Sequence, residues 1–167
     1  MNMMNTMPTK AKTVSNQIPS LLIPVANGQL ILPTVSVAEM LPYKKPQMRD
    51  TQINELPGWF LGHVLWRGVM VPMVSYEAIN GNAIPALQLT SQMTILNNTG
   101  VSAKLPFLCF PTQGIPRLSR VTPELIKEDA ATMLKPYDDF NVMVNDEFAT
   151  IPALEKLEGA VVELLGF

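Results

Sequence analysis

The sequence predicts a mainly β, barrel-rich fold closed by a C-terminal helix. Three observations carry this. Fifteen prolines in 167 residues work against long uninterrupted helices. Apolar runs of strand length are repeatedly separated by Asn-Gly and related turn signals. Only the last stretch, PALEKLEGAVVELLGF, carries apolar residues at helical spacing, at Leu154, Leu157, Val161, Leu164 and Leu165. The length suits one domain or two small subdomains sharing a core.

Taken in order, residues 1–17 are polar and methionine-rich without periodicity and read as a flexible leader, leaving 18–167 as a single domain. LLIPVANGQLILP reads as a hairpin around Asn27-Gly28. TVSVAEML, from Thr34, reads as a short helix or turn ending before Pro42. PYKKPQMRDTQINELPG is a polar, proline-bounded loop, of a length that is often functional. Strands follow at Phe60 to Trp66 and Val69 to Val74, joined by Arg67-Gly68, and the chain then turns at Asn80-Gly81. QMTILNN and LPFLCFP form the next pair of strands. QGIPRLSRV reads as a further short strand, which Pro116 confines to an edge or a bend. Thr122-Pro123-Glu124 has the form of a helix start, in competition with a strand. FNVMVNDEFATI reads as a second hairpin across Asn145-Asp146, and Pro152 suits the first turn of the final helix. The total is eight to ten strands and one substantial helix.

Charge is sparse, at 16% of residues where about 25% is usual for a soluble protein. The net value of −2 gives no strong attraction to nucleic acid or to a membrane surface. Its distribution is uneven: nine Lys/Arg and four Asp/Glu up to Arg120, three and ten after it. Either solubilising charges fell unevenly, or the molecule has a basic part and an acidic part. A single cysteine, Cys109, excludes an internal disulfide and fits a reducing compartment. The leader lacks the apolar run of a signal peptide, and Pro24, Asn27, Gly28 and Gln29 break the next apolar stretch, so no membrane insertion and a cytoplasmic location are expected.

The inventory for catalysis is thin. His63 is the only histidine and lies within an apolar strand, where a packed or half-exposed ring is the plain reading. A zinc site needs about four N or S ligands, which one Cys and one His cannot supply. No phosphate-binding glycine loop occurs. The acidic pairs Glu128-Asp129, Asp138-Asp139 and Asp146-Glu147 fall in predicted loops or turns. No cofactor and no enzymatic activity are expected; an interaction protein is.

One stretch is specific. FLGHVLWRGVMVPMVSY resembles the signature of CheW-like chemotaxis coupling proteins, in which a Gly-Val-Ile-Asn-Leu strand runs into Arg-Gly and then an apolar strand with a proline. Gly62, Arg67, Gly68 and Pro72 take the matching positions, and Glu39 matches the glutamate of the upstream Val-x-Glu-Ile segment. The likeness extends over about residues 18–165 and is specific between Leu30 and Pro72. Ser75 stands where the family usually has aspartate, and Leu65-Trp66 replaces Asn-Leu. These departures give the chain the look of the accessory, ChpC-type members of type IV pilus chemosensory systems.

The resemblance implies two intertwined SH3-like barrels and a scaffold without catalysis of its own. Its implied partners are the regulatory domain of a CheA-type histidine kinase and the cytoplasmic tip of a methyl-accepting chemoreceptor. It also implies an ion pair between Glu39 and Arg67, which either pins the turn or contacts a partner directly. Glu39, Gly62, Arg67, Gly68 and Pro72 are therefore the expected protein-binding residues. The competing reading is a free-standing SH3-like module that binds one peptide and has no link to receptors or kinase.

Overall fold

The computed structural model describes residues 16–48 and 55–167, so nearly all of the expected leader lies outside it. Eleven strands and two helices are present among these residues. One sheet has six strands: β1 (Ile18–Val25), β2 (Gly28–Pro33), β8 (Arg117–Val121), β9 (Ile126–Glu128), β10 (Asp138–Val144) and β11 (Glu147–Pro152), in the order β8-β1-β2-β11-β10-β9. The other has five: β3 (Val37–Pro42), β4 (Phe60–Trp66), β5 (Val69–Val74), β6 (Gln92–Asn97) and β7 (Phe107–Thr112), in the order β3-β6-β7-β5-β4. The first two strands thus join the last four, with the middle of the chain forming the second sheet between them. This is the intertwining that the resemblance implied.

Each sheet wraps its own small core. Leu22, Ile31, Val142, Val144 and Ala149 fill the first, while Val64, Val71, Met73, Met93, Ile95 and Cys109 fill the second. A third and larger cluster joins them. It contains Ile23, Leu30 and Leu32 of the six-stranded sheet and Val74, Leu96, Leu108 and Phe110 of the five-stranded one. Leu157 and Val161 of the terminal helix α2 (Leu154–Leu165), both fully buried, plug the space between the sheets. Glu158 on the same helix is also buried and takes the backbone N–H of Thr99 on both oxygens, at 2.8 and 3.1 Å, together with the Thr99 hydroxyl. A buried carboxylate needs such donors, and here they tie the β6–β7 connection to α2.

Several local expectations change. In the first hairpin Val25 pairs with Gly28, so the two turn residues are Ala26 and Asn27, and Gly28 opens β2. From Thr34 the helical piece is a single 3-10 turn, Thr34–Ser36, and the chain then extends as β3 through Pro42, because β3 pairs with β6 and Val37, Ala38, Met40 and Leu41 pack against the cores. The Thr122-Pro123-Glu124 sequence makes a turn and not a helix. Pairing of β9 with β10 takes the following residues into the sheet. Pro152 ends β11, and α2 begins two residues later. The second hairpin turns at Asn145-Asp146 as expected, with φ of 48° and 65°, the pair of positive angles a type I′ turn requires. β8 lies at a sheet edge, where Pro116 allows it.

The seam between the sheets carries polar cross-links. A short helix α1 (Tyr76–Ile79) follows β5 directly, with Ser75 as its N-cap: the Ala78 N–H donates to Ser75 Oγ at 3.2 Å. Serine does the capping that aspartate would do, which accounts for the departure from the family residue here. The Tyr76 hydroxyl donates to Asp138 of β10 across the seam. Burial pushes both the Asp138 carboxyl and the Tyr76 phenol above their ordinary ranges. Glu77, also buried, accepts from the Ala26 N–H at 3.2 Å.

Candidate functional site

The expected site residues fall into two groups at opposite ends of β4. Glu39, Arg67 and Gly68 meet at the β4–β5 turn. Trp66 pairs with Val69, so Arg67 and Gly68 alone make the connection, with φ of 47° and 75°. This is the type I′ pattern that Asn-Gly normally supplies. An arginine in the left-handed region costs on the order of 1–3 kcal/mol, so something other than turn formation keeps it there. The Arg67 guanidinium lies 3.3 Å from Glu39 Oε2 and is 69% exposed. Its charge therefore stays largely hydrated, and the burial cost that a buried arginine carries does not arise.

Sequence reasoning missed the third member of this group. Trp66 Nε1 donates to the same Glu39 Oε2 at 2.7 Å, and the Arg67 guanidinium carbon sits 5.0 Å from the Trp66 ring centroid. Trp66 is itself held edge-on against Phe107 at 4.8 Å and is only 8% exposed. The available signal was an aromatic residue immediately before the arginine. A β-bulge between Val37 and Glu39 sets the direction of the glutamate.

Gly62 belongs to the other end. Its φ is 119°, and a Cβ there would lie 2.5 Å from the carbonyl oxygen of Gln47 and 3.3 Å from Pro46 Cβ. The missing side chain lets the Tyr43–Met48 segment lie directly on β4. His63 and Gln47 exchange both backbone hydrogen bonds, each at 2.8 Å. Pro72 is opposite His63 in the ladder. Since the His63 N–H and C=O both face Gln47, this pair needs no hydrogen bond to β5, and a proline is tolerated. The His63 ring is half-buried with its edge toward Phe60 at 5.5 Å. It lies on the strand face opposite Val64, whereas Cys109 is in the core with Val64. Burial pushes the Cys109 thiol up to about 12, so it stays un-ionised at neutral pH.

An apolar cleft of about 360 Å³ opens beside Gly62, with Tyr43, Pro46, Leu61, Ile84, Leu87 and Pro111 among its lining residues. Neither Arg67 nor Gly68 lines it. The predicted residues thus mark one charged turn and one glycine contact next to an apolar cleft. Among the described residues no three His, Cys, Asp or Glu side chains gather as metal ligands, and no helix is long and apolar enough to cross a membrane.

A family model for the CheW-like domain matches residues 19–157. The chain belongs to the CheW-like family. Its fold is similar to that of the scaffolding protein TtCheW from Thermoanaerobacter tengcongensis, with a TM-score of 0.64 at 14% identity, over 81% of this chain and 88% of that one. No curated protein sequence matches it. The two sheets and the C-terminal helix are therefore the two SH3-like barrels of the CheW fold. Family membership supports a non-catalytic chemosensory coupling scaffold. Gly62, Arg67, Gly68 and Pro72 all lie within the matched span, as does Glu39.

Proposed function

We propose that this CheW-like chain is an adaptor that couples the cytoplasmic tips of methyl-accepting chemoreceptors to the regulatory domain of a CheA-type histidine kinase. The match of the CheW-like domain across residues 19–157 carries the reading. The apolar cleft beside Gly62 suits the apolar face of a helical receptor tip, and the Arg67 turn supplies a separate charged contact. Within the family we place it among the accessory, ChpC-type proteins of pilus-linked (twitching) motility, on the strength of Ser75 and Leu65-Trp66. We further propose that it works in the cytoplasm.

The test is direct binding of the purified chain to a purified receptor-tip fragment and to the kinase regulatory domain from the same organism. Binding to both supports the adaptor, and binding to neither overturns it. Loss of twitching with intact swimming in a deletion strain supports the pilus assignment, and the reverse pattern refutes it. The cleft also supports a second reading, a free-standing SH3-like module for one peptide. Recovery of a single peptide-bearing partner without receptor or kinase would favour that module.

A further inference from the structure

The Glu39–Arg67 contact explains less about Arg67 than its motif position implies. It engages one guanidinium nitrogen at 3.3 Å, and the side chain is 69% exposed. An exposed single-contact ion pair is worth about 0–1 kcal/mol and holds a long side chain poorly. Two further constraints come from Trp66. Its indole N–H fixes the Glu39 carboxylate, and its ring lies under the guanidinium. The indole is itself immobilised by burial and by Phe107. Arg67 thus combines a positive φ with a guanidinium folded back over its own preceding residue.

We propose that Trp66 is the positioning residue of this turn. It holds Arg67 in one orientation so that the guanidinium meets a carboxylate on a partner protein. This rests on the adaptor reading above. A guanidinium fixed beforehand loses less conformational freedom on forming a bidentate pair. Using leucine at position 66, as the family does, would leave the carboxylate of Glu39 without the indole donor and Arg67 without its platform. The rival account is that Trp66 only fills the barrel core against Phe107.

The two accounts separate in a double-mutant cycle read by binding to the purified kinase regulatory domain and to the receptor-tip fragment. Trp66→Phe keeps an aromatic ring and loses the N–H; Trp66→Leu loses both. Arg67→Lys keeps charge and loses the planar fork. Expected is a loss of roughly tenfold in affinity for Trp66→Leu, a smaller loss for Trp66→Phe, and little further effect of Arg67→Lys once Trp66 is leucine. Additive effects of the two substitutions would overturn the proposal. A second measurement works without any partner. The ¹⁵N relaxation of Arg67 Nε in the free protein is expected to report an ordered side chain that becomes mobile in Trp66→Leu, and unchanged order would refute the positioning role. If the wild-type chain binds neither probe, the adaptor reading falls and the partner half of this proposal falls with it, while the relaxation result still decides the role of Trp66.

Discussion

Replacing Gly62 by alanine tests how the cleft is built. Two costs follow from the geometry. The residue sits at φ 119°, where a non-glycine backbone costs about 1–3 kcal/mol. The added Cβ would also lie 2.5 Å from the Gln47 oxygen and 2.9 Å from its carbonyl carbon. Both are backbone atoms, so the relief must come from moving the segment. That motion breaks the two 2.8 Å hydrogen bonds between Gln47 and His63, worth about 0.5–1.5 kcal/mol each. The sum is about 2–6 kcal/mol. In a chain of this size one kcal/mol shifts the melting temperature by about 2–4 °C, so a fall of roughly 8–16 °C is expected at the middle of the range. Gly28→Ala is the control: its φ is 147°, yet nothing lies within 4 Å of the added carbon. Thermal and denaturant unfolding of both variants, with hydrogen exchange at the Gln47 and His63 amides, measures the difference. Equal losses in the two variants, or unchanged protection at the two amides, would refute the close-approach account.

Other expectations are briefer. Cys109 is expected to resist a thiol reagent at pH 8 in the native protein and to react only at the rate of unfolding, since burial holds its thiol near 12; fast stoichiometric labelling would contradict this. Burial raises the Asp138 carboxyl, so its neutral form is favoured in the folded state: its contribution is full below the unfolded pKa and declines as pH rises through the folded one. Asp138→Asn, which keeps an acceptor for Tyr76, should thus raise stability more at pH 7 than at pH 4, and the opposite ranking in melting scans would reverse the sign. Arg67→Gly relieves the left-handed arginine and forfeits a weak ion pair and some restriction of the unfolded chain, so stability should hold level or rise by up to about 2 kcal/mol in urea unfolding, and a clear loss would contradict the strain. Association with the kinase regulatory domain should weaken between low and physiological salt, where screening falls to about 8 Å, and a flat profile would remove charge from the account.

What could be read from the sequence divides along the range of the forces involved. The Asn145-Asp146 hairpin and α2 were legible because their signals are local: two turn residues in the first case, a five-residue apolar stripe in the second. The Thr122 turn misled for the same reason. Pro-Glu after threonine is a good helix start, but pairing of Ile126 to Glu128 with Val142 to Val144 decides the backbone, and that is 14–18 residues away. The Glu39–Arg67 pair was accessible only through the family resemblance, since 28 positions of chain separate them. The Trp66 bond to Glu39 had no such guide, because the family has leucine there. Gly62 was flagged as a motif position, but its reason, the Gln47 backbone pressed against it, is a tertiary contact that no local pattern encodes.

The same long-range pairing redistributes the charge. In sequence, the chain is basic up to Arg120 and acidic after it. In the fold, the acidic C-terminal part shares its barrel with the N-terminal hairpin and with Arg117 and Arg120 of β8. Arg117 already binds Glu147 at 2.6 Å within that barrel, and this guanidinium holds the Glu147 carboxyl below its usual range. Counted by barrel, residues 37–112 carry five Lys/Arg and four Asp/Glu, whereas 16–36 and 113–167 together carry five and ten. The contrast is therefore an acidic barrel beside a nearly neutral one, not a basic end facing an acidic end. An acidic barrel favours a basic surface on whatever partner docks there and disfavours a second copy of itself at the same face. A near-neutral barrel with an apolar cleft has no such net electrostatic preference, which leaves shape as its main means of discrimination. One intertwined chain thus carries two barrels that differ in charge and in apolar surface, a difference that suits the proposed bridge between two unlike proteins.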